Sequence, residues 1–149
     1  MEELLVYALL LAVGFDVEEK YQSKLDELFL ANPTDDFLLE LETISSNIKD
    51  SICRINIRLN TTFNRDNSCD INYDIFGKAL MDSLKPFYHN TDLILFAKKG
   101  YSLWEMLPDV IWEEEPFFSL SYADEPLSYG DEAQAYELYE AMLNYYDNE

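Results

Sequence analysis

The residues best spaced to do chemistry lie in DINYDIFG, Asp70 to Gly77. Asp70, Asn72 and Asp74 take the first three ligand positions of a calcium loop, which then requires glycine at the sixth position and glutamate at the twelfth. Those positions hold Ile75 and Met81. The acidic residues are therefore better read as caps for a helix opening near Tyr73. Cys53 and Cys69 lack the paired spacing of a zinc site, and the lack of a Glu-x-x-His pair excludes a di-iron bundle. The only histidine, His89, falls in PFYHNT and reads as a surface or capping residue of a helix connection. No nucleophile elbow, phosphate loop or dinucleotide fingerprint is present, and four glycines leave little material for one. Two carboxylates can carry out acid–base hydrolysis, yet among thirty acidic residues nothing singles out a pair. The expectation is a binding protein with no catalytic group, no cofactor and no metal.

The chemistry that does stand out is non-covalent. EEEPFFSLSYADEPLSYGDE, Glu113 to Glu132, holds seven carboxylates and four aromatic rings and no lysine or arginine. Consecutive glutamates repel one another, and a cationic partner would relieve that repulsion while being steered in by the same field. Tyrosine and phenylalanine supply contact area at interfaces. Pro116 and Pro126 stiffen the segment and lower the entropy lost on docking. Glu113, Glu114, Glu115, Asp124 and Glu125 are expected to steer the partner, and Phe117, Phe118, Tyr122 and Tyr129 to anchor it, with Asp131 and Glu132 completing the surface. Some of those rings could equally fasten the segment to its own core. Trp104, Leu107 and Trp112, just upstream, read as core.

Charge narrows the class of partner. Ten basic against thirty acidic residues give a net charge of −20. Phosphate backbones and anionic membranes require clustered lysine and arginine, so direct binding to nucleic acid or membrane is not expected. Every lysine and arginine lies at or before Lys99, whereas Tyr101 to Glu149 carries thirteen carboxylates and seven of the eleven tyrosines. Acidity does not imply disorder, because disordered acidic chains are poor in aromatic residues and this one has nine Phe, eleven Tyr and two Trp. The apolar run Leu4 to Phe15 follows two glutamates and is shorter than the roughly 20 residues that span a bilayer. It reads as a buried helix. Two cysteines without a secretory signal point to free thiols and a cytoplasmic location, with Cys53 in the core and Cys69 in a polar loop.

The elements that must position this segment are helices. Glu2 to Val13 forms the first, stopped at Gly14 by a left-handed residue. Asp16 and Glu19 form a capping box for the second, whose apolar face is Val17, Tyr21, Leu25 and Leu28 before Asn32-Pro33. Thr34 opens a long helix with Phe37, Leu41, Ile44, Ile48, Ile52, Ile55 and Leu59 on one face, and Ser45-Ser46-Asn47 can kink or split it. The loop TTFNRDNSCDIN follows. Phe76, Leu80 and Leu84 mark a helix from Tyr73 to Lys85, closed near Pro86. Thr91 caps a segment that Gly100 interrupts and Ser102 restarts, ending at Pro108. Beyond the irregular acidic segment, Asp131 and Gln134 cap a last helix to about Tyr146. With no alternating strand pattern, the fold class is all-α: a compact single-domain bundle, residues 1–149, of about five to seven helices.

In its size, acidity, helical reading and the EEEPFFSLSYADEPLSYGDE segment, the chain resembles the small acidic immunity proteins of bacterial toxin–immunity pairs, including those of contact-dependent growth inhibition. Immunity proteins share no common sequence signature, so the resemblance assigns no individual residue. It implies a cytoplasmic inhibitor that occludes the active site of one cognate toxin, with a nuclease, an endoribonuclease among the candidates, as the basic partner. The competing reading is an acidic regulatory adaptor or DNA mimic directed at a host nucleic-acid-binding protein. A helical self-assembly module is a third.

Overall fold

A computed structural model describes residues 1–59 and 71–148. Cys69, Asp70 and most of the expected TTFNRDNSCDIN loop lie outside them. The protein is all-α, 76% helical with eight α-helices and no strand among the described residues. Residues 1–73 and 74–149 form two compact units.

In the first unit, α1 (Glu2–Ala12) has Leu4, Leu5, Val6, Ala8, Leu9 and Leu10 buried. A helix apolar on most sides must be surrounded, and α1 packs against both α2 (Glu18–Ala31) and α4 (Ile48–Leu59). Gly14 follows with φ +97°, the conformation expected of it. The second helix starts later than the sequence suggests. Its N-cap is Val17 with no side-chain hydrogen bond, so the Asp16–Glu19 box does not form. Burial of the Val17 side chain, 3% exposed, fixes this entry in place of a polar cap.

The long third helix is split where the Ser45-Ser46-Asn47 cluster allowed it. The first part, α3 (Asp36–Thr43), is capped by Asp35, whose carboxylate accepts from the Phe37 N–H at 2.9 Å; Thr34 is one residue too early. Asn47 opens α4: its Oδ1 accepts from the Asp50 N–H at 3.2 Å while its Nδ2 donates to the Asp50 carboxylate at 2.8 Å. Because the break resets the helical phase, the inner face of α3 is Leu38 and Leu41. Phe37 is only half-buried and lies under the Arg58 guanidinium, 5.1 Å away. Cys53 is a free thiol but exposed, contrary to its expected place in the core. One residue is about 100° on a helix, enough to carry it off the Ile52, Ile55 and Leu59 stripe.

In the second unit, α5 (Tyr73–Asn90) runs through Pro86 to Asn90, where closure at Lys85 was expected. Proline removes one N–H from the ladder, but Pro86 and Asp82 are both exposed, so the freed carbonyl lies on the solvated side. Burial of Tyr88, whose ring meets Phe96 edge-on at 5.5 Å, holds the last turn. His89 therefore belongs to that turn and not to a connection. The next helix, α6 (Leu93–Met106), is capped by Asp92 accepting from the Leu95 N–H at 3.3 Å, one residue past Thr91. It passes through Gly100 unbroken. Gly100 is buried, and a Cβ there would sit 3.3 Å from Leu120, so its role is close approach, not termination.

Beyond a 3-10 turn at Asp109–Ile111 come a short helix α7 (Ser119–Tyr122), a 3-10 turn at Glu125–Tyr129, and α8 (Glu132–Leu143). Asp131 caps α8 by accepting from the Gln134 N–H at 3.1 Å, as the sequence indicates. The α-helix stops at Leu143, and Tyr145–Asn148 continue as a 3-10 turn. Among the described residues no helix is long and apolar enough to cross a membrane.

Candidate protein-docking site

The acidic-aromatic segment is built from turns, with α7 and the 3-10 turn Glu125–Tyr129 as its short helical elements. The backbone N–H groups of Glu114, Phe118 to Ser121 and Ala123 bond carbonyls three or four residues back, and those of Leu127 and Gly130 do the same. Helical turns satisfy the backbone locally, so the segment packs without a sheet or a long helix. Gly130, at φ +79°, closes the 3-10 turn in a conformation suited to glycine and delivers Asp131 to the start of α8.

This geometry sorts the four anchor candidates. Phe117 is 2% exposed, with its ring centroid 5.9 Å from that of Phe76. It is a core residue and is removed from the docking set; Pro116 and Pro126 are buried as well. Phe118 is exposed and meets the half-buried Tyr122 ring edge-on at 5.3 Å. Tyr129, 66% exposed, is the most open of the four. Its hydroxyl lies 3.3 Å from the Gln134 side-chain oxygen.

The carboxylates separate in the same way. Glu113, Glu114, Glu115, Glu125, Asp131 and Glu132 are exposed, and Asp124 is half-buried. Glu115 is the one most tightly held: it accepts from the Ser119 hydroxyl at 2.5 Å and from the Tyr122 hydroxyl at 2.7 Å. Charge-assisted bonds of this kind fix the carboxylate and tie the Glu-Glu-Glu run to α7. Burial, reinforced by the negative charge of Glu125, raises the Asp124 carboxyl above the usual aspartate range. Of the carboxylates between Glu105 and Asp147, only Asp147 forms an ion pair among the described residues, with Lys85 at 2.8 Å. The negative field over this part of the chain is thus largely uncompensated.

Beneath the segment, α8 is held by an aromatic cluster. Tyr139 is fully buried and meets Phe96 edge-on at 5.3 Å. Burial, with Asp124 adding to it, drives its phenol far above the ordinary tyrosine value. Among the described residues its hydroxyl has no hydrogen-bond partner.

Sequence reasoning placed one aromatic group wrongly. Leu107 is buried as expected, but Trp104 and Trp112 are only half-buried and join Tyr101, 40% exposed, in a row of three rings. Centroid separations are 5.8 Å from Tyr101 to Trp104 and 5.5 Å from Trp104 to Trp112. The Trp104 indole N–H donates to the Trp112 carbonyl at 3.0 Å and fixes that ring's orientation. The spacing of Tyr101 and Trp104, three apart on a helix, was the available signal.

Among the described residues no three His, Cys, Asp or Glu side chains are placed to hold a metal ion. A cleft of about 340 Å³ in the first unit is lined by Leu11, Tyr21, Gln22 and Ser45 and gathers no convergent charged groups beyond Glu18. Comparison of the chain with protein-family profiles, with curated proteins and with solved structures gave no match.

Proposed function

We propose that this protein is an inhibitor of a basic protein, of the kind made by toxin–immunity pairs, and that the turn-built segment from Glu113 to Glu132 is its docking surface. The observation that carries the reading is the uncompensated charge. Residues 74–149 hold four lysines against sixteen carboxylates, and among the described residues the exposed Glu113, Glu114 and Glu125 form no ion pair. A positively charged nuclease cleft complements such a face. Docking there would place carboxylates where the nuclease otherwise holds phosphates, which occludes its active site. A rigid segment presenting rings within a charged rim is also what fast, tight association requires.

The test is to ask whether a neighbouring gene encodes a basic toxin domain, to co-express that domain with this protein, and to measure binding kinetics on the purified pair. Growth rescue and a salt-dependent association rate are expected. Replacing Glu113, Glu114 and Glu125 together with Gln should slow association at low salt, whereas truncating Tyr129 to Ala should speed dissociation. Absence of both rescue and binding refutes the toxin assignment. Binding that is indifferent to all four substitutions moves the docking surface elsewhere.

A further inference from the structure

We infer that the Tyr101, Trp104 and Trp112 row is a stacking platform for arginine side chains of the basic partner; this rests on the docking function proposed above and specifies its chemistry. Carboxylates alone attract lysine and arginine alike. Aromatic faces discriminate between them, because guanidinium is planar and weakly hydrated and stacks on rings, whereas ammonium is a compact, strongly hydrated point charge.

The row has the properties such a platform needs. Tyr101 is 40% exposed at its outer end. The 3.0 Å bond from the Trp104 indole to the Trp112 carbonyl orients the central ring before any partner arrives, so little side-chain entropy remains to be lost on binding. Exposed carboxylates adjoin it in sequence: Glu105 follows Trp104, and Glu113 and Glu114 follow Trp112. Among the described residues no cation of the chain lies over any of these three rings. Arg58 over Phe37, 5.1 Å from the ring centroid, shows that this chain already uses a guanidinium against an aromatic face elsewhere.

The two tryptophans are the only ones in the chain, so intrinsic fluorescence reports on the platform directly. The full-length protein would be titrated with a peptide of alternating glycine and arginine and with its lysine counterpart of equal charge, at physiological salt. The arginine peptide should change tryptophan emission saturably and bind about three- to tenfold more tightly than the lysine peptide, the range a partly desolvated cation–π contact gives. Tyr101→Ala should weaken the arginine peptide more than the lysine peptide and so remove that preference, while Tyr101→Phe should keep it. Glu113→Gln with Glu114→Gln should weaken both peptides alike. Equal affinity for the two peptides, or a preference that survives Tyr101→Ala, overturns the platform. If that result comes with weakening of both peptides by the glutamate substitutions, the acidic docking surface stands without it. If neither peptide binds, both readings fall.

Discussion

Replacing Tyr139 with Phe removes one oxygen from the centre of residues 74–149 and leaves the ring in place. The Tyr139 side chain is fully buried, and among the described residues its hydroxyl meets no hydrogen-bond partner. A buried polar group left unpaired costs about 1–3 kcal/mol, and the ring contacts with Phe96 at 5.3 Å and Tyr88 at 6.3 Å do not involve the oxygen. Because the change opens no cavity larger than one atom, most of that cost should be recovered. We expect stabilisation of about 1–2 kcal/mol, which for a chain of this length raises Tm by about 2–8 °C. Tyr88→Phe is the matched control. Its hydroxyl donates to Glu140 at 3.4 Å, so its loss should be neutral or cost about 1 kcal/mol. Calorimetry and urea titration of the three proteins at neutral pH give the comparison. If Tyr139→Phe destabilises by 1 kcal/mol or more, the phenol has a polar partner, such as a buried water, and the reasoning fails.

Gly77→Ala should destabilise by about 1–3 kcal/mol, because its Cβ would strike the Tyr146 phenol and the Phe117 ring; a urea midpoint equal to or above that of the parent would show that these rings move aside freely. Burial first, and then a hydrogen bond and repulsion from Asp26, raise the Glu42 carboxyl above the usual glutamate range. The folded state then binds more protons than the unfolded chain between the two values, so this group's contribution to stability falls as pH rises from the unfolded value through the folded one. Glu42→Gln should therefore gain on the parent between pH 4 and 7, and a constant difference in urea midpoint across that range would contradict the assignment. At alkaline pH, burial and then the charge of Glu140 push the Tyr88 phenol up to about 12. Unfolded tyrosines ionise near pH 10, so Tyr88 and Tyr139 keep protons that the unfolded chain loses, and stability falls above that pH. Phenolate absorbance should show these two tyrosines titrating only with unfolding; all eleven ionising in one step near pH 10 with the fold intact would refute it.

Much of the helical architecture was legible because its signals are local. An apolar run too uniform for a surface helix gave α1, the Ser45-Ser46-Asn47 cluster gave the break between α3 and α4, and the Asp131 cap gave the start of α8. Each depends on hydrogen bonds or burial patterns within a few residues. The net charge, its concentration beyond Lys99 and the resulting preference for a cationic partner are likewise properties of the sequence alone.

Tertiary packing decided where local signals were weak against burial. An interior proline costs a helix about 3 kcal/mol and a glycine about 1, yet burial of Tyr88 carries α5 past Pro86, and the approach of Leu120 explains Gly100 within α6. The same holds for the candidate site. Phe117 and Phe118 are adjacent and chemically identical, but only the contact with Phe76 turns Phe117 inward and leaves Phe118 exposed. Trp104 and Trp112 read as core because large aromatic residues usually are, and only their mutual packing with Tyr101 shows a half-exposed row. Sequence determines which side chains are available to pack, whereas contacts between distant elements determine which of them remain at the surface.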